Sequence, residues 1–298
     1  MRRLVLWSVT LLLFMCATSA VATAQPYQLR YGFEKGRTYT YKRIERTDAL
    51  SQTHTGLSAK IDRTTEAFLR ITIDDNAGGA VRFTFVQDTA FIDDRSPVSA
   101  AGDDVPDFDN LITKKPVRVT MDAMGVLRGV EPLAPIIGGR RLPPAVTDQS
   151  VARQAVVFPV LPSRPLEIGA TWTEQSADTT HPTYSTPDLG AGSGLRLSRV
   201  KTVYTVDSLV TLGGYACVRV SWEASFVNES KMLFTAREYF TEEETAVSGV
   251  LWFAPREGVP VRLTLRSRKN TTTAAFAHEV AIVPSSITKD ITLQLSTL

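Results

Sequence analysis

Residues 195–226 read LRLSRVKTVYTVDSLVTLGGYACVRVSWEASF, which is two alternating segments on either side of a glycine pair. In residues 195–206 and again in 215–226, side chains alternate with the period of two that places neighbours on opposite faces of a sheet. Gly213 and Gly214 supply the positive backbone angles that a tight hairpin requires. The stretch therefore predicts two antiparallel strands joined by a short turn.

The same pattern recurs through most of the chain, in segments rich in Val, Ile, Thr, Tyr and Phe. Most gaps between segments are too short for the crossover helix that parallel strands need. The sequence therefore predicts a mainly β, antiparallel fold, a curved sheet or half-barrel with one or two short helices. The further alternating segments are residues 37–44, 67–73, 81–85, 117–121, 232–240, 259–265 and 291–295.

Residues 1–24 have the features of a secretory signal peptide. Arg2 and Arg3 give a positive start, residues 4–15 are almost entirely apolar, and Ala22-Thr23-Ala24 forms a cleavage motif of small residues. The apolar run is about 12 residues, shorter than the roughly 18 to 20 that span a bilayer. We expect cleavage after Ala24 and no transmembrane span in the processed chain.

The signal region also bears on anchoring and charge. Phe14 and Met15 precede Cys16, and bulky residues there disfavour attachment of a lipid. Removing the signal takes away two arginines and no acid, which leaves 31 basic and 31 acidic residues. A chain without net positive charge lacks the field that holds nucleic acid phosphates. We expect a periplasmic or extracellular protein that has no lipid anchor and does not bind nucleic acid.

Residues 131–164 contain six prolines and no alternation, which predicts a linker. Inside it, residues 147–157 predict a short helix capped by Thr147 or Asp148. A second helical turn is predicted at residues 107–113. The chain is thus divided into a signal peptide, a first β unit, a linker and a second β unit.

The two β units, residues 25–130 and 165–298, share landmarks in the same order at nearly constant spacing. This indicates an internal duplication, although hairpin proteins also reuse glycine turns by chance. The matched pairs are residues 33–39 with 166–172, the glycine pairs 78–79 with 213–214, the strands 81–85 with 218–222, and residues 117–125 with 250–258.

Candidate catalytic and metal-binding groups are sparse. His54, His181 and His278 lack the spacing of two zinc ligands on one helix. Residues 190–194, Gly-Ala-Gly-Ser-Gly, match neither a nucleophile elbow nor a phosphate loop and predict a flexible loop that continues the stretch from Ser176 to Asp188. The acidic residues 103–110 lack calcium-loop spacing and predict a solvated loop. We expect no catalytic, cofactor or metal site.

The remaining reactive or aromatic residues predict packing. Only Cys217 survives processing, so no disulfide forms within the chain and a quiet, packed thiol is expected. Trp172, Trp222 and Trp252 occur in strand-like segments, where large aromatic side chains normally face the buried side. We expect them to build a core, the alternative being an exposed platform for a ligand.

Residues 158–172, with Leu161-Pro162 followed by Gly169 and Trp172, resemble the "Leu-Pro, then Val-x-x-Gly-x-x-Trp" element of an uncharacterised family of secreted bacterial β-rich proteins and lipoproteins. The opening segment 31–41 and the turn at Gly125 are similar as well. That family brings no known activity. More loosely, such chains look like the half-barrel lipoprotein carriers of the bacterial envelope, which implies a curved sheet around an apolar cavity.

These features favour a non-enzymatic secreted or periplasmic protein of the cell envelope that binds an apolar ligand, a lipid or a partner protein. Two alternatives remain open. The chain could be a structural scaffold without a ligand, or a hydrolase whose triad assembles in space from distant residues.

Overall fold

The computed structural model describes residues 26–52, 58–96, 111–137, 147–154, 158–186, 190–234, 237–276 and 280–296, and the predicted signal peptide lies outside them. The described residues form twelve β-strands and one α-helix of seven residues. They are β1 (Thr38–Gln52), β2 (Ser58–Ala77), β3 (Ala80–Asp94), β4 (Val117–Asp122), β5 (Leu127–Pro132), α1 (Asp148–Gln154), β6 (Thr171–Thr180), β7 (Thr183–Thr186), β8 (Gly190–Leu212), β9 (Tyr215–Phe234), β10 (Arg237–Ala254), β11 (Val259–Phe276) and β12 (Val280–Leu295).

All twelve strands belong to one antiparallel sheet. Eleven follow the order β5-β4-β3-β2-β1-β12-β11-β10-β9-β8-β6, and β7 pairs with β8. The first strand pairs with the last, from Tyr41 opposite Leu295 to Ser51 opposite Ser285. Within the described strands β5 and β6 are the edges, so the sheet is open. The predicted mainly β, antiparallel fold is confirmed, and the strands of both predicted units lie in this sheet.

Glycine pairs make the turns of the two hairpins that the sequence marks most clearly. Gly78 and Gly79 have φ of 64° and 78° between β2 and β3, and Gly213 and Gly214 have φ of 57° and 84° between β8 and β9. Residues other than glycine rarely adopt these φ angles, because their Cβ atom would crowd the backbone. The glycines therefore fix where each hairpin reverses, and with it the register.

The core lies on one face of the sheet, which we call the inner face. In β1, Tyr39 and Tyr41 are buried and alternate with partly exposed residues. The chain before β1 packs on this face through Tyr31 and Phe33, and the chain before β6 packs on it through Leu166. Each such side chain contributes about 1.5–3 kcal/mol when fully buried. The described core occupies the end of the sheet at which the glycine hairpins turn.

The turns before β1 and β6 share a backbone conformation. Gly36 and Gly169 precede the two strands with φ of 78° and 83°. Each glycine donates its N–H to a carbonyl oxygen of the neighbouring strand, β2 for Gly36 and β8 for Gly169. Two residues after each glycine, a threonine hydroxyl faces a threonine hydroxyl of that same neighbouring strand. The matched bonds join Gly36 to Ile73 (2.9 Å) and Gly169 to Val206 (2.8 Å), and the hydroxyl pairs are Thr38 with Thr72 (3.1 Å) and Thr171 with Thr205 (3.3 Å).

The helix α1 falls inside the predicted helical segment. Thr147 stands just before it, and the N–H of Val151 donates to the Thr147 carbonyl oxygen (3.0 Å). Asp148 does not cap the helix as expected, because its carboxylate accepts from the backbone N–H groups of Ile136 and Ile137 (3.2 and 2.9 Å). The side chain instead fixes the preceding chain against the helix. Of the second predicted turn, residues 111 and 112 are helical and residues 107–110 lie outside the described chain.

Two local predictions were wrong. Residues 232–240 are not one strand, because the chain reverses after Phe234, which pairs with Arg237. Residues 190–194 and most of 176–186 are strand rather than loop. They pair with neighbouring strands, and Gly194 N–H also donates to the Pro182 carbonyl oxygen (2.9 Å), so pairing partners outweigh the loop-forming composition.

Candidate functional site

A row of aromatic side chains crosses the inner face where the core ends. Trp172 on β6 stacks on Tyr204 of β8, with centroids 4.7 Å apart and planes 8° apart. Tyr204 lies opposite Trp222 of β9, and the Trp222 ring lies over Gly249 of β10, where an added Cβ would come within 2.5 Å of its Cε2. The indole can lie flat on the sheet because position 249 has no side chain. The row forms a continuous aromatic strip.

Beyond the aromatic row the inner face carries small side chains. Thr202, Ala224, Val247 and Ser267 lie side by side across β8 to β11. The next row toward the far end carries Val200, Phe226 and Ile287 together with Thr245 and Lys269. We call this surface the inner trough, defined as the inner-facing residues Val200, Thr202, Trp222, Ala224, Phe226, Val247, Ser267 and Ile287.

The trough residues are more shielded than their neighbours on the other face. Thr202 and Ala224 are buried although they are small, and Phe226 and Val247 are half-buried, whereas Ser225 and Ser248 beside them are exposed. Small side chains beside the aromatic row therefore fill less of the inner face than the large side chains of the core do.

Two ion pairs lie among the trough residues on the inner face, since Lys289 lies opposite Ser267 and Lys269 opposite Ile287. Glu45 accepts a hydrogen bond from the Lys289 ammonium (2.9 Å), and Glu243 pairs with Lys269 and accepts from the Asn228 amide (3.0 Å). Burial alone would raise the pKa of each glutamate, but the neighbouring ammonium groups outweigh it and the pKa of each is lowered. Both acids are thus ionised and paired at neutral pH, so these charges leave the trough close to neutral.

The opposite face, which we call the outer face, carries a second depression. A groove of about 610 Å³ crosses β8 to β12. Its outer-facing walls include two valines, five hydroxyl side chains and the ion pair of Arg266 with Asp290, which is largely exposed. Exposed pairs of this kind contribute at most about 1 kcal/mol. The outer-facing lining residues are Val203, Thr205, Ser221, Glu223, Ser248, Val250, Thr264, Arg266, Asp290 and Thr292.

The tryptophans are divided between the two faces. Trp172 is buried, and Trp222 packs against the core from the inner trough. Trp252 also packs against the core as a half-buried side chain, but Leu251 and Phe253 take the inner positions of β10, so Trp252 lies on the outer face. There the guanidinium groups of Arg219 and Arg262 lie 5.8 and 5.3 Å from its ring centroid. This is a cation–π arrangement that covers the indole.

Cys217 is fully buried. Its thiol donates to the Tyr215 carbonyl oxygen (3.7 Å). Burial, together with the charge of Glu257, raises the pKa of the thiol to about 11. The reactive thiolate is therefore scarce at neutral pH, as expected for a packed thiol.

Of the three histidines, only His181 lies in the described chain, where it is exposed between β6 and β7. His54, His278 and the acidic residues 103–110 lie outside it. Among the described side chains, no three His, Cys, Asp or Glu are placed to hold a metal ion. In the same part of the chain, no helix has the length and apolar character needed to cross a membrane. The sequence carries no local signal for the inner trough, because its residues come together only through the register of neighbouring strands.

Comparisons with known proteins give no family. No family model matches the sequence, and no curated protein matches it. Solved structures that the chain matches include a protein from Bacteroides fragilis described as a putative exported protein with a YmcC-like fold (11% identity, 87% of this chain and 97% of that chain, TM-score 0.21). Others are OccK11 of Pseudomonas aeruginosa (6%, 91% and 100%, 0.26) and Salmonella typhi OmpF in complex with daunomycin (8%, 87% and 98%, 0.25). These TM-scores are too low to carry an argument about function.

Proposed function

We propose that this chain is a non-enzymatic, exported protein of the cell envelope that holds an apolar ligand, such as a lipid acyl chain, in the inner trough. The observation that carries the proposal is the continuation of the inner face beyond the aromatic row. There, small and apolar side chains are buried or half-buried, and Phe226, Val247 and Ser267 do not belong to the described core cluster. Binding sites for small molecules are concave, mostly apolar and bordered by a few polar groups.

The free energy that apolar contacts would contribute to ligand binding can be estimated from the trough side chains. Phe226 and Ile287 are both half-buried, so a bound acyl chain would remove a further part of each from water. At about 25 cal/mol per Å² of apolar surface, each contact would contribute on the order of 1 kcal/mol. The outer groove is less suited, because its hydroxyl and charged groups would lose water without gaining partners from an apolar ligand.

Lipid content of the purified protein tests the proposal. The full chain is expressed with its leader, purified from the exported fraction and extracted with organic solvent for mass spectrometry. Ser267→Phe fills the trough, and Ser248→Phe on the neighbouring strand β10 is the matched control on the outer face. We expect lipid to copurify with wild type and Ser248→Phe, and to fall about tenfold with Ser267→Phe.

Equal lipid in all three proteins, or none in wild type, would contradict the proposal. If no ligand copurifies but crosslinking in the native envelope captures a stoichiometric protein, the scaffold alternative replaces it. The location is tested on the same sample, because a signal peptide cleaved after Ala24 leaves Gln25 as the first residue. An N-terminal sequence that begins upstream would contradict the proposed processing.

We also propose that the two units, 25–130 and 165–298, arose by duplication, with residues 131–164 as the linker. Besides the matched glycine turns, each unit has a β-bulge at an aspartate in the strand that precedes the glycine pair. The aspartates are Asp74 in β2 and Asp207 in β8. Asp74 accepts from the Thr84 hydroxyl (2.9 Å) and Asp207 from the Ser221 hydroxyl (3.1 Å). Bulges with matching side-chain bonds are specific features rather than general properties of hairpins, which supports a common origin.

A further inference from the structure

The groove on the outer face has a floor of hydroxyl groups. One row of outer-facing side chains crosses the groove from β8 to β12, and all but one of its members carry a hydroxyl. Neighbouring strands lie about 4.8 Å apart, so the row is roughly 19 Å long. Its members are half-buried, whereas Glu223, Ser248 and Arg266 of the next row are exposed. This hydroxyl row consists of Thr205, Ser221, Val250, Thr264 and Thr292.

Part of the hydroxyl row has unused hydrogen-bonding capacity. At the β8 end, Thr205 and Ser221 already have side-chain partners. At the other end, the hydroxyls of Thr264 and Thr292 make no hydrogen bond to another described side chain. A hydroxyl can donate one hydrogen bond and accept two. A half-buried floor of this kind therefore fits a ligand that brings hydroxyl groups of its own.

An arginine without a carboxylate partner stands beside the hydroxyl row. Arg262 precedes Thr264 on the same face of β11, and its guanidinium lies over the Trp252 ring. Its Nε is buried without a hydrogen-bond partner, and no described carboxylate pairs with it. Arg219, on the same ring, differs because it donates to Asp207 (2.6 Å). The half-buried Arg262 guanidinium is therefore available to an anionic group, with which its hydrogen bonds are strongest.

The two walls of the groove differ in charge. On the side away from Arg262, Arg266 is paired with Asp290 (3.6 Å), whereas the exposed Glu223 has no ion-pair partner among the described residues. An anionic group is attracted to the Arg262 wall and repelled by Glu223. A small inorganic anion at Arg262 would leave the hydroxyl row unused. A sugar acid carries both a carboxylate and hydroxyl groups, so it matches the wall and the floor together.

We propose that the outer groove binds an acidic oligosaccharide, whose carboxylate is held by Arg262 and whose hydroxyl groups bond to those of the hydroxyl row. This goes beyond the apolar ligand proposed for the inner trough. It does not depend on that ligand, because the two surfaces lie on opposite faces of the sheet. The partly exposed ionic contact is screened by salt, so affinity falls as the salt concentration rises.

Calorimetric titration of the full exported chain tests the role of charge. The probes are tetragalacturonate and the neutral maltotetraose, each in low and high salt. Arg262→Gln removes the cation, and Arg82→Gln, at an exposed outer-face position of β3, is the control with the same change in charge. We expect saturable binding of tetragalacturonate to wild type and Arg82→Gln, and about tenfold weaker binding to Arg262→Gln. Maltotetraose should bind wild type at least about tenfold more weakly than tetragalacturonate.

The hydroxyl row is tested with a second pair of variants. Thr292→Val keeps the shape of the side chain and removes its hydroxyl. Thr288→Val makes the same change on the same face of β12, outside the groove. Tetragalacturonate should bind about threefold more weakly to Thr292→Val and unchanged to Thr288→Val. Circular dichroism and thermal unfolding establish that the variants are folded.

The two proposed ligands are separated by variants on opposite faces. Ser248→Phe should block the oligosaccharide and keep lipid, whereas Ser267→Phe should bind tetragalacturonate like wild type. Absence of saturable binding to wild type, or equal affinity of Arg262→Gln and Arg82→Gln, overturns the proposal. Equal affinity for the neutral probe does so as well. Binding of inorganic phosphate without binding of tetragalacturonate also overturns it, because Arg262 would then be a simple anion contact.

Discussion

Gly258→Ala tests how the N-terminal segment is held on the core. Gly258 has φ of 68° and accepts a backbone hydrogen bond from Gly32 (3.0 Å). An added Cβ would lie 2.5 Å from the Cα of Gly32, where only backbone could move aside. The positive φ costs about 1–2 kcal/mol for alanine, and the forced separation of the two backbones costs about 1–3 kcal/mol more. Together these give an expected loss of about 2–5 kcal/mol in the free energy of unfolding.

Alanine variants at two further glycines separate the cost of the positive φ from the cost of the close backbone approach. Gly36 has φ of 78° with open space around it, so Gly36→Ala should cost only the backbone term of about 1–2 kcal/mol. Gly32→Ala places its Cβ at an ordinary 3.5 Å from Gly258 and should change stability by less than about 1 kcal/mol. Urea unfolding followed by tryptophan fluorescence measures all three. If Gly258→Ala costs no more than Gly36→Ala, the close approach does not hold the segment as argued.

Further predictions follow from single side chains. The lowered pKa of Glu45 means that its ionised pair with Lys289 stabilises the fold above the usual glutamate pKa and that this contribution is lost as the pH falls through the lowered value. Urea unfolding of Glu45→Gln should therefore show a deficit at pH 7 that shrinks below about pH 4, and a deficit independent of pH would count against the pair. Cys217 should resist iodoacetamide in the folded protein at pH 8 and react on unfolding, whereas rapid labelling of the native state would mean that the thiol is accessible. Asp207→Ala removes the carboxylate that accepts from Arg219 (2.6 Å) at the bulge and should cost about 1–2 kcal/mol in thermal unfolding, and an unchanged midpoint would show that the bulge holds without it.

The sequence predicts the elements whose signal is local. Alternation and glycine pairs identify the strands around Gly213 and the turn between them, because φ at a tight turn depends on the residue itself. The short helix that ends at Gln154 is also found, because helix start signals are local in the sequence. Pairing of β1 with β12 joins residues more than 200 positions apart, and no local pattern specifies it. The single sheet could therefore not be distinguished from two domains.

The errors have a physical cause in pairing. The run 232–240 alternates without Gly, Pro or Asn, so nothing in its composition marks the reversal after Phe234. The Gly-Ala-Gly-Ser-Gly segment has loop composition, yet β9 offers a long partner and its backbone groups gain more from pairing than from remaining in water. The inner trough is not visible without the register, because it is defined by side chains that meet across strands.

The lengths of the strands locate function within the fold. The two proposed units agree closely at the end of the sheet with the glycine turns and differ at the opposite end. Strands β4 and β5 have six residues each, whereas β10 and β11, which follow the same landmarks, have 18 each. Twelve added residues extend a strand by about 40 Å, far more than the core at the glycine end can cover. Val247 and Ser267 of the inner trough lie on this added length, so the part of the trough that β10 and β11 supply is the part that the shared core does not require.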